Sequence, residues 1–512
     1  MSRAARVVGS VTLGQAHLVL ATLVGLWLTP VLLARVGQHE YGLWLVGLQL
    51  LGYLYLLDLG VVGLLPRETA YASGRVLTGE SVEVLADTVS RIRGVIRWQM
   101  PAAVLVSAAA WMLMPASWRE LRSPLAWVLL FFALTFPMRA YHALLQGLQD
   151  IVFLGQLQLV AWAIGTGVLI ALVFSGAGLT ALAAGWLVTQ AVTVGACWWR
   201  VQRRHRAVWV TRPPAVGWAE ARTFLGGSIW ISMAQLAQTL SAGSDVLIVG
   251  ALLGPAAAVP YACTSKLVQV LANHPQLVMQ AAAPALSEMR TSERRERLAA
   301  TTSALTRAML VLSGAIGCVV IAANRDFVSW WVGPAQFGGA GLTLTLVAAM
   351  LVRHVNTTTV YAIFCFGHER RLSVTAVADG IVTVIAALVL VPRLGLLGVA
   401  LASIIGVLTV SYLPNLRVLA REIGVQPFAP LIDLRGWFGR FVLCAVASAG
   451  VAAAPLGDGL ASLLTRTAAA AIVYGVVMGP FAISGTLGVY ARQLIPRPLQ
   501  MWSTRFDRAD AA

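Results

Sequence analysis

The stretch that most constrains the fold is residues 26–68, in which two long apolar runs flank the short polar sequence RVGQHE at residues 35–40. A helix that rises ~1.5 Å per residue needs about 20 residues to cross a hydrocarbon core of ~30 Å. Each run is long enough, so the sequence predicts a transmembrane helical hairpin. Pro30 is expected to interrupt the first arm, and Gly60 and Gly63 are expected to soften the second.

The composition extends this prediction to the whole chain. Charged residues make up 11% and hydrophobic residues 58% of the 512 residues, whereas a soluble chain carries about a quarter charged residues. We therefore predict a polytopic membrane protein rather than a set of soluble domains. The net charge of +16 would suggest nucleic acid in a soluble protein. In a membrane protein it marks the cytoplasmic loops, so no nucleic-acid partner is predicted.

Apolar windows bounded by charged or turn residues predict an all-α protein with about 14 transmembrane helices. The predicted spans are 10–33, 41–65, 95–115, 124–146, 151–174, 178–199, 224–253, 261–286, 299–322, 341–366, 372–391, 396–418, 437–456 and 460–489. With the N-terminus inside, most arginines fall in cytoplasmic segments. The predicted outside loops hold only Arg35, Arg119, Arg122, Arg325 and Arg393. The positive-inside rule therefore predicts that both termini are cytoplasmic.

An internal repeat divides the predicted spans into two copies. Gly147 and Gly178 correspond to Gly367 and Gly398, in both cases 220 positions later. Two six-helix units in the same orientation would be related by an axis along the membrane normal, with substrate between them. The predicted parts are an N-terminal lobe (1–200), a basic cytoplasmic linker (201–223), a C-terminal lobe (224–420), an additional helix pair (421–490) and a cytoplasmic tail (491–512).

Two cytoplasmic stretches have their own patterns. Residues 67–93 mix acidic, basic and apolar positions, which predicts an amphipathic helix at the membrane interface. The basic stretch 200–222 is interpreted either as a contact for anionic lipids or as a topology anchor between the two lobes, and the anchor is favoured.

No catalytic motif is present in the sequence. It contains neither GxxxxGK[ST] nor HExxH, and its five cysteines are isolated, with no metal spacing and no even count for a disulfide framework. We expect no enzyme activity, no metal site and no cofactor. Transport would then draw on an ion gradient, on the substrate gradient or on consumption of the product.

The informative residues are charges inside the predicted spans: Asp58, Arg139, Asp245, Lys266, Arg353, Asp379 and Arg466. Each would cost roughly 3 kcal/mol if it faced lipid, so these side chains must pair, face water or reach an interface. Lys266 and Arg466 lie near the predicted outer boundary and could extend to it. Asp379 lies near the inner boundary, so it too could either pair or extend to the interface. The remaining four charges are too deep to reach an interface: Asp58, Arg139, Asp245 and Arg353.

Arg139 and Arg353 lie on the fourth and tenth predicted spans, which correspond in the repeat, and each has a histidine nearby, His142 and His354. Two such arginines would line a cationic cavity, and the guanidinium fork suits phosphate oxygens. The alternative is an Arg–Asp lock between the two halves that uses Asp58 or Asp245. We assign Arg139, Arg353, His142, His354 and Lys266 to substrate binding, and Asp58, Asp245 and Asp379 to charge pairing or to coupling with H⁺ or Na⁺.

Three segments resemble the polysaccharide transporter family. They are PVLLARVGQHEYGLW followed by YLLDLG, SDVLIVGALLGPAAAVPYACTSKL with the later AAAPALSEM, and VPRLGLLGVALAS. The family comprises Wzx-type flippases of O-antigen and capsule repeats, within the multidrug/oligosaccharidyl-lipid/polysaccharide superfamily. The resemblance implies a two-lobed, V-shaped bundle in the bacterial cytoplasmic membrane. It implies that undecaprenyl-pyrophosphate-linked oligosaccharide is flipped outward for lipopolysaccharide or capsule biosynthesis, with its pyrophosphate in a basic cavity. Polysaccharide polymerase and glycosyltransferases are the implied protein partners.

Three alternatives remain open. A lipid II flippase of the same superfamily would be expected to carry several basic residues in its first two spans, and this chain has none deep in either. A cation-coupled multidrug exporter favours an acidic, aromatic cavity, whereas the deep charges here are mixed. A membrane polymerase or glycosyltransferase needs a sizeable outside loop, but the longest one predicted, 323–340, contains only one acid, Asp326.

Overall fold

A computed structural model of the chain describes residues 3–209, 216–426, 434–455, 457 and 459–483. Every regular element in these ranges is helical, which confirms the predicted all-α membrane protein. The predicted tail, 491–512, and part of the predicted linker, 210–215, lie outside the described residues.

The chain divides into two compact units, residues 1–239 with 254–258 and residues 240–253 with 259–512. The helices of the first unit are α1 (Arg3–Arg35), α2 (Gln38–Leu54), α3 (Val61–Leu77), α4 (Val82–Trp98), α5 (Met100–Met112), α6 (Arg122–Thr135), α7 (Arg139–Gly147), α8 (Ile151–Phe174) and α9 (Leu179–Arg204). Two helices, α10 (Trp218–Leu252) and α11 (Pro255–Leu271), contribute residues to both units.

Eight further helices complete the described part of the second unit. They are α12 (Asn273–Ser292), α13 (Arg295–Val332), α14 (Ala340–Cys365), α15 (Glu369–Leu394), α16 (Leu396–Gly406), α17 (Leu413–Ile423), α18 (Arg435–Ala453) and α19 (Leu460–Ile483). A π-helical turn, Val407–Tyr412, joins α16 to α17.

Eleven helical segments in the described part of the chain are long and apolar enough to cross a membrane. They coincide with eleven of the predicted spans. The other three, 95–115, 224–253 and 261–286, are also largely helical. However, the first is reduced to the 13 residues of α5, and the last is interrupted where α11 gives way to α12.

The predicted hairpin is present, but its two arms differ from the expectation. Gly37, at φ +97°, separates α1 from α2. The expected interruption at Pro30 is wrong, because α1 continues through that residue to Arg35. Loss of one backbone donor is tolerated within a long helix whose neighbouring bonds persist. The second arm instead breaks completely at Leu59 and Gly60, as described below.

The stretch expected to form an interfacial helix forms two helices of the first unit, α3 and α4. On α4, the apolar residues Leu85, Val89, Ile92 and Ile96 are buried. They recur at helical spacing, so one face of the helix packs inside the protein and the charged face remains outside. The amphipathic pattern was recognised correctly, but its apolar face is covered by protein.

A buried ion pair attaches the last two helices to α13. Arg466 of α19 donates from Nη1 to Asp326 Oδ1 of α13 at 2.5 Å, and Ser462 donates to Asp326 Oδ2 at 2.7 Å. The Arg466 and Asp326 side chains are 7% and 2% exposed. Of the possibilities that the sequence left open for Arg466, the structure shows the pairing with an acid. Asp326 is also a helical residue rather than part of an outside loop, since α13 continues to Val332.

Candidate functional site

Asp58 lies where the second transmembrane arm breaks. The chain leaves α2 through the 3₁₀ turn Tyr55–Asp58, and Leu59 and Gly60 then adopt left-handed φ values of +47° and +72°. The Asp58 side chain is 1% exposed, and its Oδ1 accepts the Gly60 N–H at 2.9 Å. Asp58 therefore stabilises the break by binding a backbone donor that the interrupted helix leaves free.

Two neighbouring elements fix the same break. Gln99 donates from Nε2 to the Asp58 carbonyl at 2.9 Å, and Ser228 of α10 donates to the Leu59 carbonyl at 2.8 Å. A Cβ on Gly60 would lie 2.8 Å from the Ser228 carbonyl oxygen. Glycine is therefore required at this position both by the backbone conformation and by the close approach of α10.

Arg139 forms an ion pair with Asp58. It opens α7 immediately after the 3₁₀ turn Phe136–Met138, and its Nη2 lies 2.9 Å from Asp58 Oδ2. The guanidinium carbon lies 4.8 Å from the centroid of the Tyr55 ring. The Arg139 side chain is nevertheless 24% exposed. The guanidinium group thus contacts Asp58, the Tyr55 ring and, through Nη1 at 3.5 Å, the Tyr55 carbonyl, and its exposed fraction is where another anion could reach it.

The Arg139–Asp58 pair corrects one sequence-based alternative. If Asp58 paired with a deep arginine, the ion pair was expected to join the two halves of the protein. Both residues belong to the first unit, so this pair holds the α2 break against α7 within one unit.

Arg353 is the corresponding deep arginine of the second unit. Its Nε donates to Ser403 Oγ at 2.8 Å, and its Nη1 lies 3.9 Å from Asp379 Oδ2. Its Nη2 is buried and has no hydrogen-bond partner in the part of the chain that the structure describes. A buried donor without a partner is costly, so Arg353 retains the capacity to bind an anion.

Two carboxylates surround Arg353. Asp379 of α15 is 4% exposed and accepts a hydrogen bond from Thr383 at 3.2 Å. Asp245 of α10 accepts the Tyr261 hydroxyl at 2.5 Å and lies close enough to interact with the Arg353 charge. Asp379 lies beside the Arg353 guanidinium group and Asp245 is bonded to Tyr261, so one positive charge faces two carboxylates in this part of the unit. The cluster is therefore chemically suited to bind a proton or a monovalent cation.

The remaining predicted site residues have different surroundings. His354 is 2% exposed, and its Nδ1 lies 2.6 Å from Ser313 Oγ of α13, so it is a hydrogen-bonded residue of the helix packing. His142, one turn after Arg139 on α7, is exposed. Lys266 of α11 is half-buried and forms no ion pair within the described ranges. The structure thus groups Arg353 with Asp379 and Asp245, and Arg139 with Asp58.

Sequence reasoning missed one deep charge. Arg307 lies in the predicted span 299–322 on α13, and its Nε is buried without a hydrogen-bond partner among the described residues. The signal was available, since Arg307 is an arginine within an apolar run.

An aromatic stack fixes the start of the basic linker. The Arg93 guanidinium carbon lies 3.4 Å from the Trp209 ring centroid, and Trp209 stacks on Tyr141 with centroids 4.0 Å apart. Burial lowers the pKa of Arg93 to about 10, so this side chain remains charged near neutral pH. Beside the stack, Asp150 accepts two hydrogen bonds from Arg200, at 2.7 and 3.1 Å. The linker therefore begins as an ordered part of the first unit.

The chain is similar to known proteins in both sequence and fold. A family model described as "polysaccharide biosynthesis protein" matches residues 102–330. A solved structure described as the lipid II flippase MurJ in an inward closed conformation has a TM-score of 0.63 and 10% sequence identity, and the alignment covers 91% of this chain and 98% of that chain. No curated protein sequence matches the chain. The resemblance to the polysaccharide transporter family and the multi-pass membrane fold are thus confirmed.

Proposed function

We propose that this chain, which resembles polysaccharide transporters in sequence and a lipid flippase in fold, translocates undecaprenyl-pyrophosphate-linked oligosaccharides across the bacterial cytoplasmic membrane. The product would supply O-antigen, capsule or exopolysaccharide biosynthesis, in which glycosyltransferases precede the transporter and a polymerase follows it. The match to a polysaccharide biosynthesis family supports this substrate class. The observation that carries the proposal is that two membrane-embedded arginines are each only partly occupied by carboxylates.

In this proposal, Arg139 and Arg353 bind the pyrophosphate. Each guanidinium group presents several donors in one plane, a geometry that suits the oxygens of a diphosphate. Arg139 has a partly exposed side chain, and the buried Nη2 of Arg353 has no hydrogen-bond partner among the described residues. A diphosphate would compete with Asp58 for Arg139 and with Asp379 for Arg353. Substrate would therefore bind by replacing pairs that hold the empty protein.

The displaced carboxylates supply the coupling step of the proposal. When Arg353 turns to a diphosphate, Asp379 and Asp245 lose their shared countercharge. Buried carboxylates then take up a proton or a cation, because an uncompensated charge in this environment is costly. The resulting change in charge would bias the alternating-access equilibrium. We assign H⁺ or Na⁺ to this role, with the N- and C-termini on the cytoplasmic side.

The decisive experiment is export of lipid-linked glycan by cells that carry variants at matched expression. Arg139→Ala and Arg353→Ala should each trap the glycan on the cytoplasmic leaflet. Arg→Lys should restore export only in part, because lysine keeps the charge but lacks the planar fork. Arg393→Ala is the matched control, since Arg393 is exposed and donates to its own helix at Val389. Full export by the Arg139→Ala/Arg353→Ala variant would rule out the phosphate-binding role.

A charge exchange separates binding from a purely structural pair. If Arg139 only neutralises Asp58, the exchange Asp58→Arg with Arg139→Asp should restore export, because only complementarity matters. If Arg139 binds phosphate, the exchanged protein should be inserted and stable but inactive.

A second candidate, flipping of lipid II, is favoured by the fold similarity. The two functions are separated by expressing the chain in cells depleted of their own lipid II flippase. Rescue of growth would support this candidate, and export of polysaccharide without rescue would support the first. A multidrug exporter would instead lower the accumulation of a cationic dye in cells that make no polysaccharide.

A further inference from the structure

An exposed basic surface lies where the linker joins the first unit. The turn 206–208 packs against α4, and the stack of Arg93 on Trp209 fixes the segment that follows the turn. Arg97 lies one helical turn after Arg93, and three further exposed arginines lie in the few positions before Trp209. We call this set of exposed arginines the basic rim: Arg97, Arg203, Arg204 and Arg206.

Buried neighbours fix the segment that carries Arg206. Val208 and Trp209 are both buried. The Trp209 N–H donates to the Arg206 carbonyl at 3.1 Å, and the Val208 N–H donates to the His205 carbonyl at 3.0 Å. An ordered segment loses less conformational freedom when it binds a ligand than a flexible one does. The charges of the basic rim are therefore arranged in advance.

Two acids of this region are already paired. Asp150 accepts two hydrogen bonds from Arg200, and Asp87 of α4 accepts one from Arg91 at 2.8 Å. No arginine of the basic rim forms an ion pair with an acid in the part of the chain that the structure describes. The positive charge of the basic rim is therefore left for an external anion.

The arginines also act on the basic groups beside them. Burial is the main cause that lowers the pKa of Arg93 to about 10, and the charge of Arg97 acts in the same direction. Burial likewise lowers the pKa of His205, and the charge of Arg204 adds to that shift. Both effects reflect repulsion between like charges, which a bound anion would relieve.

Exposed tryptophans lie beside the basic rim. Trp98 directly follows Arg97, and its ring centroid lies 5.2 Å from that of Trp218, which is also exposed. Trp199 is exposed too, and the guanidinium carbon of Arg203 lies 5.4 Å from its ring centroid. Exposed indole rings concentrate at the interface between membrane and water. The arginines that contact or follow them are therefore expected at the depth of the lipid phosphates.

We propose that the basic rim binds the headgroups of anionic phospholipids in the cytoplasmic leaflet. The guanidinium groups donate charge-assisted hydrogen bonds to the phosphate oxygens, and the neighbouring indole rings contact the interfacial part of the same lipids. This surface goes beyond the proposed transport function, because it contains neither Arg139 nor Arg353. The same charges still favour a cytoplasmic linker, so lipid binding adds to the interpretation of this stretch as a topology anchor.

The test is native mass spectrometry of the purified full-length chain in detergent with defined lipids. Phosphatidylglycerol and phosphatidylcholine with identical acyl chains are offered in equal amounts. Each arginine near a lipid phosphate contributes about fivefold, so the unaltered chain should retain phosphatidylglycerol at least about fivefold better. The variant Arg97→Gln/Arg203→Gln/Arg204→Gln/Arg206→Gln should lose most of this preference.

A matched control removes the same charge from the second unit. Its variant replaces exposed arginines that are also predicted to be cytoplasmic: Arg294→Gln/Arg370→Gln/Arg417→Gln/Arg421→Gln. This control should keep most of the preference for phosphatidylglycerol. An equal or larger loss in the control would show that net charge, rather than the basic rim, selects the lipid, and the proposal would be wrong.

Two further variants keep the test decisive. Replacing the four arginines of the basic rim by lysine keeps the charge and should keep most of the preference. If the lysine variant selects phosphatidylglycerol no better than the glutamine variant does, the charge of the basic rim is not the cause. Single Arg206→Gln serves if the fourfold variant is not inserted, and should lower the preference by up to about fivefold. Equal retention of the two lipids by the unaltered chain would also overturn the proposal. None of these measurements involves transport, so the proposed function is tested separately.

Discussion

The pair formed by Asp58 and Arg139 permits a quantitative prediction. Removing Arg139 as Arg139→Ala leaves the carboxylate of Asp58, whose side chain is 1% exposed, with the Gly60 N–H as its one donor in the part of the chain that the structure describes. Breaking a fully buried ion pair from one side costs about 3–5 kcal/mol. Since the Arg139 side chain is 24% exposed, water compensates in part, and we expect a loss of about 2–4 kcal/mol.

The neutral substitution Asp58→Asn should lower the free energy of unfolding by less than Arg139→Ala does. Asp58→Asn retains an oxygen for the Gly60 N–H but gives up the charge interaction with Arg139, so we expect a loss of about 1–2 kcal/mol. With Arg139 already absent, the same change also removes the unpaired buried charge. The double variant should therefore be more stable than the sum of the single changes predicts, by about 1–3 kcal/mol.

The measurement is reversible unfolding in mixed micelles, followed by tryptophan fluorescence, for the four members of this double-mutant cycle. Arg393→Ala, an exposed arginine bonded only within its helix, is the control and should change stability by less than ~0.5 kcal/mol. If the effects of Asp58→Asn and Arg139→Ala add within ~0.5 kcal/mol, the two side chains are not coupled and the inferred role of the pair is wrong.

Four further predictions follow from other contacts. Gly60→Ala should destabilise by more than ~1–2 kcal/mol, because φ is +72° and the new Cβ would contact the Ser228 carbonyl; Gly74→Ala, which meets no neighbour, is the comparison in the same unfolding assay. Asp326→Asn should cost about 3–5 kcal/mol by leaving Arg466 buried and unpaired, and Asp326→Asn/Arg466→Met should recover most of it. Arg203→Cys, exposed at the end of α9, should resist an impermeant thiol reagent applied to intact cells, and labelling from outside would contradict the cytoplasmic assignment. Burial lowers the pKa of His205, so the imidazole of the unfolded chain takes up a proton at a higher pH than that of the folded chain. The free energy of unfolding should therefore fall as the pH decreases below ~6.5, and His205→Gln should reduce this pH dependence.

The transmembrane architecture could be predicted because it depends on local hydrophobicity. Eleven of the fourteen apolar windows identified a helical segment long enough to span, since a spanning helix satisfies its own backbone and needs no distant partner to be recognised. The break of the second transmembrane arm could be predicted only in part from the sequence. Gly60 marked it, but Leu59 adopts a left-handed φ of +47° that its residue type disfavours. That conformation is imposed by contacts with Asp58, Gln99 and Ser228, which no local pattern contains.

The charges that pair inside the protein could be identified from the sequence, but their pairings could not, and their role in binding stays a prediction. The cost of burying charge singled out Asp58, Arg139, Arg353 and Asp245 as the deepest charges, and left Asp379 ambiguous. Which acid meets which arginine depends on helix packing, and Asp58 lies 81 positions before its partner Arg139. His354 was assigned to a cavity because it follows Arg353 in sequence. The direction of its side chain, toward Ser313, results from the helical rotation between neighbours.

The buried pair between α13 and α19 has a consequence for biogenesis. Asp326 and Arg466 are 140 positions apart in the chain. At a synthesis rate of ~5–20 residues per second, Asp326 leaves the ribosome roughly 7–28 s before Arg466 does. During that interval Asp326, near the end of α13, lacks the arginine that neutralises it in the folded protein. Until α19 is synthesised, Asp326 therefore needs another partner, which water at the helix end, a proton or a polar group of the insertion machinery can supply.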